Sequence, residues 1–209
     1  MKKSEKIKFF DSLANDWDEL KSRNKHYYRD IEKFLRYLIP ENKKILEIGC
    51  ATGSLLAALE PSRGVGIDFS PKMVAIAKKR HKNLGFRVMD AENLKLKEKF
   101  DYIIMSDIVG SLSDVWQAFR EMHKACNNDT KIIISYKSRL WMPILKLAEA
   151  LKLKAPSIKQ NSLYLADIEN LLHLNHFKVV RTSSRLLMPK YIPIVTAIFN
   201  KYIAKLPLL

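Results

Sequence analysis

The feature that most constrains this chain is residues 45–55, where an apolar run breaks into small residues. The segment reads I-L-E-I-G-C-A-T-G-S-L, and a helical pattern resumes after it. This pattern predicts a buried strand that turns sharply into a helix, because glycine serves where the backbone takes unusual dihedrals or lies close to a ligand. The free N–H groups at the start of that helix suit an anionic group. We expect a nucleotide-type cofactor site on the first strand of an α/β sheet, with an ordinary ligand-free turn as the alternative.

Strands and helices alternate from this segment onwards. Short strands are predicted at residues 64–67, 86–89, 101–105 and 131–136, with helices from residue 69 and over 113–126. This alternation is typical of an α/β, Rossmann-like, doubly wound parallel sheet with helices on both faces. Beyond residue 136 the pattern predicts helices at 140–151, 165–172 and 194–206, and strands at 177–181 and 185–188.

Two amphipathic helices are predicted ahead of the first strand. Residues 4–21 carry an aromatic-rich stripe at helical spacing, and a second helix ends at Pro40. Placed before the first strand, these helices could form a lid over the cofactor. Their linking segment, R-N-K-H-Y-Y, holds side chains able to contact a ligand, although simple core packing is the alternative. The candidate substrate contacts of the lid and of the fifth strand's end are His26, Tyr27, Tyr28 and Tyr136.

The length of 209 residues suits one domain, with a lid at 1–40, a cofactor-binding core at 41–136 and a substrate-side region at 137–209. The polar residues 1–8 predict no signal peptide, and no apolar run reaches the ~18 residues of a membrane helix. Cys50 and Cys126 are too few for a disulfide framework or a zinc site, so no metal is expected. A cytoplasmic enzyme is the expectation.

The charge is strongly uneven. The formal net charge is +15, and residues 137–209 hold 12 basic against 3 acidic residues. Such a surface favours an anionic partner such as nucleic acid, a phospholipid surface or a phosphorylated substrate, with a solvated basic face as the alternative.

Three carboxylates lie on or just after successive strands: Glu47, Asp68 and Asp90. An acid at the end of the second strand can accept hydrogen bonds from ribose hydroxyls, and one after the third strand can accept them from an adenine amino group. The turn holds only Gly49 and Gly53, so the three-glycine dinucleotide fingerprint is incomplete, and a P-loop is excluded because no G-K-[ST] follows. These residues together predict an adenosine pocket.

Residues 44–136 resemble the class I S-adenosylmethionine-dependent methyltransferases. The segments L-E-I-G-C-A-T-G, G-I-D-F-S-P-K-M, D-A-E-N-L, F-D-Y-I-I-M-S-D and K-I-I-I-S-Y match that family's motifs in order. The resemblance implies a seven-stranded, mostly parallel sheet with a reversed last hairpin. Ala51 departs from the family's usual glycine.

The resemblance also implies cofactor roles for named residues. Gly49, Ala51 and Gly53 would shape the backbone around the methionine part of S-adenosylmethionine, and Glu47 would orient that loop and the cofactor's amino group. The remaining residues implied to bind the cofactor, at the ribose, the adenine and the amine, are Asp68, Phe69, Met73, Asp90, Ala91 and Ser106.

The tail has a second, weaker resemblance. L-W-M-P-I-L-K-L-A-E-A-L, Q-N-S-L-Y-L-A-D-I-E-N-L-L and R-L-L-M-P-K-Y-I-P-I are similar to a prokaryotic subgroup of small methyltransferases found near membrane-linked glycosyltransferases. The final apolar helix could rest on a membrane, cover the sheet edge or form a dimer contact.

The expected reaction is methyl transfer to a small-molecule or lipid- or glycan-linked acceptor, with O-methylation favoured. If the acceptor is a hydroxyl, Asp107 is the candidate base, with His26 or Tyr28 in reserve and a structural role as the alternative. The segment S-D-I-V-G lacks the N-P-P-Y motif of base amino-methylation, and no Pro-Cys pair follows the fourth strand. The other hypotheses are an RNA-modifying methyltransferase and a non-catalytic cofactor-binding protein. The acceptor and the oligomeric state stay open.

Overall fold

Five parallel strands and seven α-helices make up the residues that the computed structural model describes, namely 2–136, 161 and 163–183. In chain order the elements are α1 (Lys3–Leu13), α2 (Trp17–Ser22), α3 (Lys25–Leu38), β1 (Lys44–Ile48), α4 (Ser54–Ala58), β2 (Arg63–Asp68), α5 (Pro71–Arg80), β3 (Gly85–Val88), β4 (Phe100–Ser106), α6 (Val115–Met122), β5 (Cys126–Ser135) and α7 (Leu165–Leu174). Short 3₁₀ turns at Val109–Ser111 and His123–Ala125 flank α6.

The strands form one parallel sheet in the order β3-β2-β1-β4-β5. Glu47 lies in the middle of it, opposite Gly66 of β2 and Ile104 of β4. The order in which strands are added reverses between β1 and β4, since β2 and β3 extend to one side of β1 and β4 and β5 to the other. Ligands of open α/β sheets bind outside the carboxyl ends of the strands at such a switch point.

Side chains along β1 alternate between two hydrophobic cores. Leu46 and Ile48 belong to the core that includes Phe119 of α6. Ile45 belongs to the opposite core, with Leu35 of α3 and Val74 of α5. Because both faces of the sheet are covered by helices, the predicted doubly wound α/β fold is confirmed.

The predicted single helix at residues 4–21 is wrong, because a turn at 14–16 divides it into α1 and α2. Ala14 is buried in that turn, and the N–H of Asp16 donates to the carbonyl of Leu13 at 3.2 Å. Asn and Asp favour turns, since their side chains compete for backbone hydrogen bonds. The break leaves Phe10 packed edge-on against Trp17, with ring centroids 6.0 Å apart.

The described part of the sheet has five strands rather than the predicted seven. Helix α7 confirms the prediction at 165–172, but 177–181 is not a strand. The N–H of Phe177 donates to the carbonyl of Leu172 at 2.9 Å, and its ring stacks on His123, with centroids 4.2 Å apart. These contacts close the end of α7 instead of adding to the sheet. The predictions for 140–151, 185–188 and 194–206 fall outside the described residues.

No helix in the described ranges has the length and apolar character needed to cross a membrane.

Candidate functional site

The turn after β1 requires two glycines. Gly49 and Gly53 have φ angles of 78° and 77°, in the left-handed region that L side chains disfavour. A Cβ on Gly49 would lie 2.5 Å from Cδ1 of Ile108, and one on Gly53 would lie 2.6 Å from Cζ of Phe86. The Gly49 N–H also donates to the carbonyl of Ile67 at 2.8 Å, which holds the turn against β2. The backbone of this turn is therefore fixed at the switch point, and positions 49 and 53 have no room for a side chain.

Asp68 ties this turn to the next one. Its Oδ2 accepts the Ala51 N–H at 3.0 Å, and its Oδ1 accepts the Ser70 N–H at 2.9 Å. Burial raises the pKa of the Asp68 carboxyl, while these two N–H groups act in the opposite direction. Ala51 itself has a φ of 47°, so the alanine that replaces the family's usual glycine sits in a strained backbone conformation. Asp68 therefore holds both loops that border the cleft.

Glu47 is a buried carboxyl beneath the turn, with only 3% of its surface exposed. Its Oε2 accepts the N–H of Leu56 in α4 at 3.1 Å. Burial raises the pKa of Glu47 to about 8, although the nearby Lys21 ammonium and the Leu56 N–H favour the ionised form. The carboxyl thus holds the first turn of α4 in place through Leu56.

A cleft opens at the carboxyl ends of β1, β2 and β4. Counted with the solvent-open space at its mouth, its volume is about 440 Å³. Its wall brings together five of the predicted cofactor residues: Gly49, Asp68, Phe69, Asp90 and Ala91. Ile108 and the segment 111–113 close the side towards β4.

Two lysines of α1 form the outer wall of the cleft. The Lys3 ammonium pairs with Oδ2 of Asp90. Lys6 donates to the carbonyl of Ser111 at 2.8 Å and to Oγ of Ser113 at 3.0 Å. Helix α1 therefore borders the cleft through both lysines, and its action as a lid stays a prediction.

Two carboxylates fasten the lid to the loops after β1 and β2. Asp11 Oδ1 accepts from Oγ of Ser70, the N-cap of α5, at 2.5 Å. Asp18 Oδ1 accepts from Oγ1 of Thr52 at 2.8 Å, and its other oxygen pairs with Arg80. The same loops that border the cleft thus hold the lid in place.

Asp107 follows β4 with a φ of 57°, an uncommon conformation for a residue other than glycine. Tyr27 OH of α3 donates to its Oδ2 at 2.5 Å. Burial and the Asp107 carboxylate raise the pKa of Tyr27 well above its usual value, so the phenol keeps its proton. Tyr28 packs edge-on against Tyr27, with ring centroids 5.1 Å apart. The acid predicted as a base therefore meets the aromatic pair predicted as lid contacts.

The other predicted residues lie further from the cleft. Met73 is fully buried in α5, and Ser106 lies within 3.2 Å of Ser135 between the two hydroxyl oxygens; neither is part of the cleft wall among the described residues. Tyr136 packs against the core shared with α6, and His26 is half-buried in α3. Their cofactor and substrate roles stay predictions.

The sequence model of the methyltransferase domain family matches residues 20–182. The chain belongs to this family. This confirms the class I S-adenosylmethionine-dependent methyltransferase family that the motifs resemble. The resemblance of the tail to the subgroup near membrane glycosyltransferases stays a prediction.

Known methyltransferases resemble this chain in sequence and in fold. The malonyl-[acyl-carrier protein] O-methyltransferase of Bacillus cereus is 30% identical over 136 residues, covering 61% of this chain and 51% of the relative. The magnesium protoporphyrin IX methyltransferase of Synechocystis PCC 6803, solved with bound SAH, superposes with a TM-score of 0.71 at 19% identity, over 88% and 93% of the two chains. A complex between the Haloferax volcanii Trm112 methyltransferase activator and a methyltransferase gives a TM-score of 0.74 at 17% identity, over 93% of both chains.

These structural likenesses show the fold. The chain spans about half the length of the curated Bacillus relative it matches.

The residues of this methyltransferase domain suit S-adenosylmethionine. Asp68 and Asp90 place carboxylates in the cleft wall, where the ribose and the adenine edge are predicted to bind. Glu47, predicted to meet the amino group, lies buried beneath the turn and is not part of that wall among the described residues. Gly49 lines the cleft without a side chain, because a Cβ at this position would press into Ile108. Across the described residues no group of three or more His, Cys, Asp or Glu side chains could hold a metal ion.

Sequence reasoning missed the polar contacts of the lid. The residues concerned are Lys3, Lys6, Asp11, Asp18 and Lys21. The spacing of Asp11 and Asp18 gave no signal for these contacts, because the turn at 14–16 places the two residues on separate helices.

Proposed function

We propose that this protein transfers the methyl group of S-adenosylmethionine to an oxygen of a small-molecule or lipid- or glycan-linked acceptor. The observation that carries the proposal is the cleft at the switch point of the sheet. Its wall unites Gly49, Asp68 and Asp90, and helix α1 borders it through Lys3 and Lys6. Family membership supports the reaction type, and the Bacillus relative is by name an O-methyltransferase.

The cofactor supplies an electrophilic methyl group on a positively charged sulfur. The acceptor oxygen forms the new C–O bond as the C–S bond breaks, and the bonding electron pair stays on sulfur in a neutral thioether. Alignment in a dry site can supply up to about 7–11 kcal/mol of the barrier reduction. Asp107 takes the proton if the acceptor is a hydroxyl, and Tyr27 holds the carboxylate in place through its hydrogen bond.

The charge supports an anionic acceptor or an anionic carrier. The net charge of +15 favours association with phosphates, carboxylates or acidic proteins. The Bacillus relative is named for a malonyl group on an acyl-carrier protein, so a carrier-linked acyl acceptor is a second candidate. The alternative explanation of the basic surface is that the protein modifies RNA. The third hypothesis is a cofactor-binding protein without catalytic activity.

One labelling experiment separates these acceptors. The protein is incubated with methyl-labelled S-adenosylmethionine and separate lipid, metabolite, carrier-protein and RNA fractions. Label in the lipid or metabolite fraction, stable to ribonuclease and lost in Asp68→Ala, supports the proposal. Label in the carrier-protein fraction supports the carrier-linked acceptor. Label confined to RNA, with binding that weakens steeply as salt rises, would replace it with the RNA alternative. Cofactor binding without label in any fraction would leave the non-catalytic role.

A cytoplasmic location with peripheral membrane contact belongs to the same proposal. The support is the charge of residues 137–209, where 12 basic side chains face 3 acidic ones. Basic segments are attracted to anionic lipid surfaces. Flotation with vesicles of anionic phospholipid is expected for the full chain and should be weaker without residues 190–209. If neither form floats with the vesicles, membrane contact is removed from the proposal.

A further inference from the structure

The residues that follow β4, 108–113, form one side of the cleft and are called the β4 wall below. The wall begins directly after Asp107 and passes through the 3₁₀ turn Val109–Ser111. The last carbonyl groups of a helical turn have no partner within that turn, so they need donors from elsewhere. Four residues of the wall line the cleft: Ile108, Ser111, Leu112 and Ser113.

Asn161 and Lys6 supply the donors for three successive carbonyls of the β4 wall. The Asn161 backbone N–H donates to the carbonyl of Gly110 at 2.7 Å, and its side-chain Nδ2 donates to the carbonyl of Leu112 at 2.8 Å. Between these two, the Lys6 ammonium donates to the carbonyl of Ser111 at 2.8 Å. A helix at the start of the chain and a residue far beyond β5 therefore hold the same short strip of backbone.

The position of the β4 wall sets the width of the cleft at the turn after β1. Ile108 lies so close to this turn that a Cβ on Gly49 would be 2.5 Å from its Cδ1. The far end of the wall is held separately, because the Ser113 N–H donates to Oε1 of Glu92 at 2.6 Å. A wall released from Asn161 or Lys6 would pivot on Glu92 and change the gap between Ile108 and Gly49, where both residues line the cleft.

We infer that Asn161 is a positioning residue of the cofactor cleft, which acts together with Lys6 to hold the β4 wall in place. This inference rests on the proposed function, which makes S-adenosylmethionine the ligand of the cleft. It gives the region at 137–209, which the sequence assigned to the acceptor side, a part in cofactor binding. Because either side chain alone is insufficient to fix the wall, loss of the second donor should add little to loss of the first.

The test measures S-adenosylhomocysteine affinity by calorimetry in wild type, Asn161→Ala, Asn161→Asp, Lys6→Met and the double variant of Asn161→Ala with Lys6→Met. Asn161→Asp keeps the shape of the side chain but replaces the donor NH₂ with an acceptor oxygen. Each single variant should weaken binding about 3- to 10-fold, the size expected for one lost hydrogen bond. The double variant should stay within about 2-fold of the weaker single variant. The matched control is Asn128→Ala, an exposed asparagine near the start of β5 and at the other end of the sheet, which should bind like wild type.

Hydrogen exchange reports the state of the wall itself. Within the wall, the Ser111 N–H donates to the carbonyl of Ile108 at 2.7 Å and the Leu112 N–H to that of Val109 at 3.3 Å. Asn161→Ala should speed exchange at 109–113 and leave the amides of β1 unchanged, and S-adenosylhomocysteine should slow exchange at 109–113 again. A residue that only stabilises the fold would not produce this local pattern.

Three results would overturn the inference. One is an Asn161→Ala variant that binds S-adenosylhomocysteine as tightly as wild type. Another is faster exchange along the whole chain with a lower urea midpoint, because Asn161 would then stabilise the fold in general. The third is a pair of losses that multiply in full in the double variant, since Asn161 and Lys6 would then act independently. Wild type that does not bind S-adenosylhomocysteine would instead refute the proposed function, and exchange at 109–113 would still show whether Asn161 holds the wall.

Discussion

Gly49→Ala should lower the free energy of unfolding of this protein. The new Cβ would lie 2.5 Å from Cδ1 of Ile108 and 3.1 Å from its Cβ and Cγ1, at a φ of 78°. The left-handed backbone costs an alanine about 1 kcal/mol, and overpacking of this kind costs about 1–3 kcal/mol more. We therefore expect the free energy of unfolding to fall by about 2–4 kcal/mol, together with weaker binding of S-adenosylhomocysteine.

The assay is urea denaturation followed by circular dichroism, with Gly85→Ala as the matched control. A Cβ on Gly85 would meet nothing closer than the Gly64 carbonyl at 3.6 Å, so that variant should be neutral or slightly stabilised. Ile108→Val removes the methyl group that makes the 2.5 Å contact, so it should restore part of the stability of Gly49→Ala in the double variant. If Gly49→Ala is no less stable than Gly85→Ala, the steric reasoning about the turn is refuted.

Four further outcomes are expected at or near the site. Ala51→Gly should raise the free energy of unfolding by about 1 kcal/mol in the same urea assay, because it relieves the φ of 47°; lower stability would contradict this. The affinity for S-adenosylhomocysteine, measured by calorimetry, should rise about eightfold from pH 7 to 8.5. The reason is that Glu47, with a pKa of about 8, ionises over this range and can then pair with the ligand ammonium. Glu47→Gln should abolish this pH dependence. Asp107→Asn should lower kcat about 100-fold for a hydroxyl acceptor without changing S-adenosylhomocysteine affinity; an unchanged kcat would exclude it as the base. Asp18→Asn should speed proteolytic cleavage within residues 1–24, because it removes the charge that contacts Thr52 and Arg80. Glu19→Gln, at an exposed position on the same helix, should leave the cleavage rate unchanged.

The core of the fold could be predicted from the sequence because its signals are local. The apolar run before Gly49 predicts a strand, and the positions of Asp68 and Asp90 after the next two strands predict where their side chains lie. The cleft brings the end of this run and both acids together. The strained φ of Ala51 could not be foreseen, since periodicity does not report backbone dihedrals.

The lid contacts escaped prediction for a different reason. Asp18 meets Thr52 across 34 residues, and Lys3 meets Asp90 across 87. Helical periodicity identifies which face is apolar but not which polar groups on the opposite face find partners. The prediction of a strand at 177–181 was wrong for a similar reason. Its apolar residues suggested pairing with the sheet, but the Phe177 N–H instead donates to the end of α7.

The attachment of the N-terminal helices by Asp11 and Asp18 has a consequence for evolution and engineering. Under the proposed function, each catalytic cycle releases one nucleoside and admits another, and the predicted lid that these carboxylates fasten to Ser70 and Thr52 must open for both. Selection for thermal stability and selection for fast turnover therefore act in opposite directions on the hydrogen bonds of Asp11 and Asp18. Variants selected for survival at high temperature should strengthen them and exchange nucleoside more slowly, and variants selected for speed should loosen them.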